Sequence, residues 1–260
     1  MFCRLYEYLL TSIRNYTKTK SSIRLSKKQT IPSNPKEIPM PKVKKNNPHI
    51  IKFAKRGESE IKKYSPEDFA EAAEHIYLPG LEFIDEKTFE IVKKQCAHAK
   101  EVGFVDEESL WLGALHSKQI KQQYVADVSI QWIDDTLGYG LFAEKDIKAW
   151  EYIGEYTGVV RKRNLIFRNV NDYCFSYPTS VLNFRKNTID AQDKGNELRY
   201  ANHSDFPNSE SNAVLCDDIL HIIIRAIRDI PAGTQITYNY TDVYWQSRTR
   251  VPNQTETLDH

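Results

Sequence analysis

Four short blocks, in chain order, hold the residues whose types and spacing suit chemistry. They are Gly138-Tyr139-Gly140-Leu141-Phe142-Ala143, Gly154-Glu155-Tyr156-Thr157-Gly158, Arg199-Tyr200-Ala201-Asn202-His203-Ser204 and Ile230-Pro231-Ala232-Gly233-Thr234-Gln235-Ile236-Thr237-Tyr238-Asn239-Tyr240. Glycines at 138 and 140 let a backbone approach a ligand closely and adopt unusual dihedrals; a plain hairpin turn is the competing reading. The pair does not make a dinucleotide site, because the third glycine and the following helix are missing. Taken alone, Asn202-His203 is a polar turn, and Thr237–Tyr240 is a strand with alternating core and exposed aromatics. Their order and spacing between Ala126 and Trp245 join them into one set.

That set resembles the SET-domain protein lysine methyltransferases. The resemblance implies a SET fold: mainly β, with several short sheets, a pseudoknot-like C-terminus and a helical N-terminal flank. It also implies S-adenosylmethionine-dependent transfer of a methyl group to a protein lysine. Methyl transfer is an in-line displacement on a sulfonium, so the protein must hold the cofactor, deliver a neutral amine and align the two. Aqueous lysine has a pKa of about 10.4, and a narrow low-dielectric channel helps to hold it neutral. Aromatic walls pack the aliphatic stem, and their hydroxyls aim the nitrogen. No metal is required.

Carried over residue by residue, the resemblance makes Gly138, Tyr139 and Gly140 the first cofactor loop. Asn202 contacts the cofactor amino group, and the backbone of Asn202-His203 binds the adenine. Arg199 matches an arginine that precedes this motif, and is assigned with the cofactor residues. Tyr240 matches the catalytic tyrosine, which orients the amine and also borders the cofactor. Tyr238 stands where a Phe or Tyr sets the product state, and a Tyr there favours monomethylation. Tyr173 corresponds to a wall of the lysine channel, although a Tyr-x-Phe strand is more often core. Trp245 covers the adenine or simply clasps the C-terminal tail. Asp205-Phe206-Pro207-Asn208 departs from Cys-x-Pro-Asn, which suits a C-terminus without a zinc cluster. Glu155-Tyr156-Thr157-Gly158 reads as structural. The insert Arg161–Arg168 occupies the place of a substrate-holding segment, but its chemistry is basic.

These groups need elements to position them. Ala126, Val128, Ile130 and Trp132 alternate with polar residues, a strand pattern. Ile147–Tyr156, Asn187–Ala191, Ala213–Cys216 and Ile219–Ala226 are further short strands. There is no βαβ rhythm, so the expectation is a compact β-rich domain over 126–245. Residues 57–125 read as a helical flank. Ser65-Pro66 starts a helix carrying Phe69, Ala73, Ile76 and Tyr77, which ends at Pro79-Gly80. Asp85 caps a second, with Phe89, Val92 and Cys96 on one face. A third runs from Glu107 to Gln123, with Trp111, Leu112 and Leu115 clustered.

Residues 1–56 carry 14 Lys/Arg and 2 Asp/Glu, so the remaining chain carries 22 basic against 33 acidic residues. The first stretch reads as a flexible basic arm, broken by Pro32, Pro35, Pro39, Pro41 and Pro48, with Leu5, Leu9, Ile13 and Tyr16 at helical spacing near its start. The arm suits contact with nucleic acid; an unstructured leader is the plainer reading. The acidic remainder suits a basic, lysine-bearing protein partner such as a histone or histone-like protein. Residues 246–260 read as a tail. Cys3, Cys96, Cys174 and Cys216 show no Cys-x-x-Cys spacing, so no zinc set is expected. No run of about eighteen apolar residues exists to span a membrane. The zinc-free layout, with Val128–Asp135 before Gly138, is similar to chlamydial-type SET proteins. That similarity implies either a cytoplasmic protein or an effector exported to a host nucleus. A SET-like scaffold without turnover, or a DNA-binding protein working through its arm, are the rival readings.

Overall fold

The computed structural model describes residues 49–163, 171–177, 179, 187–240 and 244–245. The N-terminal flank contains β1 (Ile51–Phe53), β2 (Lys62–Tyr64), α1 (Pro66–Ala73), β3 (Ile76–Tyr77), β4 (Glu82–Phe83), α2 (Glu86–Glu101) and α3 (Glu107–Lys121). The body follows with β5 (Val128–Asp134), β6 (Gly138–Ala143), β7 (Tyr152–Glu155), β8 (Val159–Lys162), β9 (Cys174–Ser176), β10 (Asn187–Asp190) and β11 (Lys194–Gly195). A short 3-10 helix, Glu197–Tyr200, leads to β12 (Asn202–His203), β13 (Ser209–Cys216), β14 (Ile219–Ala226) and β15 (Thr237–Tyr238). Strands pair in the orders β2-β1-β5-β6, β4-β8-β10-β9 and β13-β14-β7, with two-stranded pairs β11-β3 and β12-β15. The expected fold class, several small sheets with flanking helices, is what the chain forms.

Local chemistry explains the elements. Ser65, Asp85 and Asp106 each cap a helix, accepting from the backbone N–H of Asp68, Thr88 and Ser109 respectively. The hairpin β13–β14 turns on Asp217 and Asp218, both at positive φ (47° and 64°), the dihedrals of a type I′ turn that matches strand twist. β14 lies between β13 and β7, and α3 packs on β13 while α2 packs on β14. Its run Ile222-Ile223-Ile224 is therefore fully buried.

Six expectations change. The flank is mixed, because β1 to β4 interleave with the helices. α1 stops at Ala73 since Glu74 takes a left-handed φ of 52°; Ile76 and Tyr77 then pair with Lys194 and Gly195 as a strand. The boundary at residue 56 cuts into the body: β1 pairs with β5, and Ile51 and Phe53 are buried in the core. Only Tyr152–Glu155 of the stretch 147–156 is strand, because Trp150 turns the chain at φ 71°. Trp111 is exposed while its neighbour Leu112 is buried. Ser129 breaks the alternation of β5 by being buried, where its hydroxyl accepts from Gln131 Nε2 at 2.8 Å. The arm up to residue 48, its helical spacing at Leu5–Tyr16, the insert beyond Arg163 and the tail 246–260 lie outside the described residues.

Candidate active site

The site is built on two strands too short to stand alone. β12 runs parallel to β15, with Asn202 opposite Thr237 and His203 opposite Tyr238. Side chains hold the pair in place. Asn208 donates from Nδ2 to the Gln235 carbonyl (2.8 Å) and accepts the Thr237 N–H on Oδ1 (2.9 Å). Ser209 Oγ donates to the Thr237 carbonyl at 2.8 Å. The Tyr240 N–H donates to His203 Nδ1 at 3.1 Å. A backbone N–H only donates, so Nδ1 is the acceptor and the ring proton sits on Nε2, which meets Asp205 Oδ1 at 3.3 Å. The Tyr240 hydroxyl donates to the Ala201 carbonyl at 2.8 Å. Segments 201–205 and 237–240 are thus fastened at both ends.

The glycine loop is bound to the same unit. Asn202 Nδ2 donates to the Tyr139 carbonyl at 3.1 Å. A carbonyl only accepts, so the amide orientation follows, and Asn202 Oδ1 has no partner among the described residues. Gly138 has a φ of +71°, and a Cβ built there would meet nothing within 4 Å. A Cβ on Gly140 would come within 2.5 Å of Ile133 and 2.9 Å of Gln235, so a side chain there would displace the ends of both. An open, permissive backbone beside an uncommitted amide oxygen is an arrangement that accepts an ammonium group.

Next to it stands a cluster of rings. Tyr240 lies 4.8 Å from Tyr238, 4.6 Å from Tyr244 and 6.3 Å from Trp245, centroid to centroid. Trp245 also meets His203 edge-on at 5.0 Å. Tyr238 stacks on Phe175 at 6.3 Å, and Phe175 touches Tyr156 at 5.4 Å. The Tyr156 hydroxyl donates to the Tyr173 carbonyl at 2.7 Å. Burial raises the pKa of Tyr156, Tyr238 and Tyr240 well above the usual tyrosine value, so all three are neutral phenols. The Tyr238 hydroxyl has no hydrogen-bond partner among the described residues. Ring walls with neutral hydroxyls suit an alkyl stem that ends in a nitrogen.

The structure brings Gly138, Tyr139, Gly140, Asn202, His203, Tyr238, Tyr240 and Trp245 together. It commits Arg199 elsewhere. The Arg199 guanidinium lies 3.8 Å over the Tyr173 ring and 4.7 Å over Tyr200, and its Nε donates to the Ala191 carbonyl at 2.8 Å. It therefore buttresses the Tyr173 side, whereas the sequence placed it with the cofactor residues. Tyr173 is 38% exposed and forms a rim. Arg161 is paired with Asp190 (Nε to Oδ2, 2.7 Å), and Arg168 lies outside the described residues. Sequence reasoning missed Phe175 and Tyr244, took Tyr156 as mere packing, and gave Asn208 no role. Asn208 alone carried a signal, its place in the motif after Asn202.

Residues 138–241 match the family model described as SET domain. Over 132 residues the chain is 35% identical to a variant-silencing SET domain-containing protein of Plasmodium falciparum, covering 48% of this chain and 5% of that protein. It is 32% identical over 127 residues to a putative histone-lysine N-methyltransferase of Arabidopsis thaliana, covering 48% and 36%. An H3 lysine-4 specific histone-lysine N-methyltransferase of Aspergillus oryzae is 35% identical over 118 residues, covering 44% and 10%. The chain thus spans about a third or less of these relatives. Among solved structures, an autoinhibited PRC2 bound to S-adenosylmethionine aligns with a TM-score of 0.42 at 28% identity, covering 53% of this chain and 18% of that one.

Proposed function

We propose that the protein is an S-adenosylmethionine-dependent protein-lysine N-methyltransferase acting on a basic, histone-like protein segment. The observation that carries this reading is the joining of an open glycine backbone, an uncommitted Asn202 oxygen and a neutral tyrosine slot into one hydrogen-bonded unit. Identity of 32–35% to histone-lysine methyltransferases supports the acceptor class. The acidic balance outside the first 56 residues supports a basic partner. Bound S-adenosylmethionine supplies an electrophilic methyl group on sulfur. Asn202 Oδ1 would accept from the amino group of its methionine part, the Gly138–Gly140 backbone would hold that part, and Trp245 and His203 would hold the adenine.

The acceptor lysine enters along Tyr173, Phe175 and Tyr156, and its nitrogen ends between Tyr238 and Tyr240. Neither phenol acts as a base, since burial keeps both protonated. The apolar walls lower the pKa of the incoming ammonium, and its proton leaves to solvent. The Tyr240 hydroxyl donates to Ala201, which leaves its oxygen able to accept from the amine and align it for in-line attack. The Tyr238 hydroxyl offers one more hydrogen bond and occupies space, which favours a monomethyl product.

The test is calorimetric titration with S-adenosylmethionine on the parent and on Asn202→Ala, followed by transfer of labelled methyl to core histones. One-to-one binding should weaken at least about tenfold in the variant, the size of one charge-assisted hydrogen bond. A parent protein that binds no cofactor even with histone present sinks the reading in favour of a scaffold.

A further inference from the structure

The C-terminal end of α3, the segment 80–83 and the turn of the β13–β14 hairpin border an open-sided cavity of about 300 Å³. That is the small end of the range for ligand cavities, about 300–1,000 Å³. None of the residues that line it belongs to the tyrosine slot. Leu81, Phe83, Ile120 and Ile219 give it apolar walls. Its polar lining is Glu155 with His221, together with Lys121, Gln123 and Asp217. The Glu155 side chain is only 5% exposed, and its Oε1 meets His221 Nδ1 at 2.6 Å. The carboxylate accepts, so the imidazole Nδ1 carries the proton.

A carboxylate offers about four acceptor positions, and among the described residues His221 is the single side chain that fills one. A buried carboxylate with one partner is costly, because desolvation exceeds what one bond returns. The lysine in the cavity lining does not relieve it. Lys121 is half-exposed and held by Asp217 at 3.0 Å. The cavity therefore presents a largely buried carboxylate with acceptor capacity to spare beside apolar surface.

We propose that this cavity is a second ligand site and that its ligand is a compact organic cation. An ammonium or amidinium group donates to Glu155, and a small apolar body packs against Leu81, Phe83 and Ile120. The site stands independently of the methyl-transfer reading, since it uses neither Asn202 nor Tyr240.

The experiment titrates the full chain with benzamidine, an aryl amidinium, and with benzamide, its uncharged counterpart, followed by calorimetry and by protein NMR shifts. The expected result is saturable one-to-one binding of benzamidine, with benzamide at least about tenfold weaker. Glu155→Gln should weaken benzamidine at least about tenfold. Leu81→Trp, which adds bulk to the cavity lining and leaves Glu155 and His221 unsubstituted, should do the same. Melting curves establish that each variant is folded, and an unfolded Glu155→Gln leaves Leu81→Trp to decide. Absence of saturable binding to the parent, equal binding of amidine and amide, or full binding by the folded Leu81→Trp protein would each overturn the proposal.

Discussion

Tyr240→Phe separates the chemical role of the hydroxyl from the structural role of the ring. The ring stays, so the contacts at 4.6–4.8 Å with Tyr244 and Tyr238 persist. The hydroxyl bond to Ala201 disappears, and Ala201 is buried. An unsatisfied buried carbonyl costs about 1–3 kcal/mol. For a body of this size each kcal/mol lowers the melting temperature by about 2–4 °C, so a fall of roughly 2–12 °C is expected. Catalysis should suffer more. Loss of the group that aligns the nitrogen costs about a hundredfold in kcat, equivalent to about 2.7 kcal/mol of barrier. Cofactor affinity should stay within about threefold, because Asn202 and the Gly138 loop are untouched. The assay is transfer of labelled methyl to histones at saturating cofactor, alongside calorimetry of cofactor binding and a thermal melt. A folded Tyr240→Phe protein whose kcat lies within a few-fold of the parent would refute the catalytic assignment. A loss of cofactor binding equal to the loss of rate would refute the division of roles.

Three other outcomes follow from the same geometry. Tyr238→Phe removes a hydroxyl with no partner among the described residues, so stability should change by less than about 1 kcal/mol while mass spectrometry shows dimethyl or trimethyl product; an unchanged product distribution counts against the product-state role. His49 stacks on Tyr77 at 5.0 Å and meets Glu197 at 2.6 Å; burial alone would lower its pKa, but the bond and charge of Glu197 raise it above the ordinary 6.5. Its stabilisation is therefore full below about pH 6.5 and fades as pH rises through the folded value, and melts of the parent and His49→Gln should converge at the alkaline end. His75 and His116 run the other way: burial, helped by Arg199 and Arg225 respectively, lowers both to about 4. The unfolded chain takes up those protons first, so stability falls as pH drops from about 6.5 towards 4, by about 3 kcal/mol per histidine. Urea midpoints at pH 7 and pH 5 measure that fall, and His116→Leu, which removes a ring with no hydrogen bond to either nitrogen, should reduce it by about half.

What was legible in the sequence was local. Ser65, Asp85 and Asp106 cap helices because the N–H each one serves lies three residues away. Asn202 and Tyr240 stood out for another reason: the proposed chemistry restricts the residue type, and the fold brings the two segments that carry them together. Arg199 shows where such reasoning ends. Its charge was readable but its direction was not, because the 3-10 helix stops at Tyr200 and Ala201 is extended (φ −73°, ψ 113°). The chain changes course between Arg199 and Asn202, so the two side chains have different partners, the arginine lying over Tyr173 and the asparagine bonding Tyr139. Ile76 and Tyr77 failed similarly. Their helical spacing from Phe69 and Ala73 was real, but the left-handed Glu74 ended the helix, and their partners were Lys194 and Gly195, over a hundred residues on. Tyr156 is the most instructive case. Beside a glycine at a strand end it reads as packing, yet its hydroxyl holds the backbone of Tyr173 and its ring backs Phe175. No periodicity marks a residue whose task is to hold another's main chain. A residue of that kind is recognised only when the fold shows which backbone carbonyl its hydroxyl reaches.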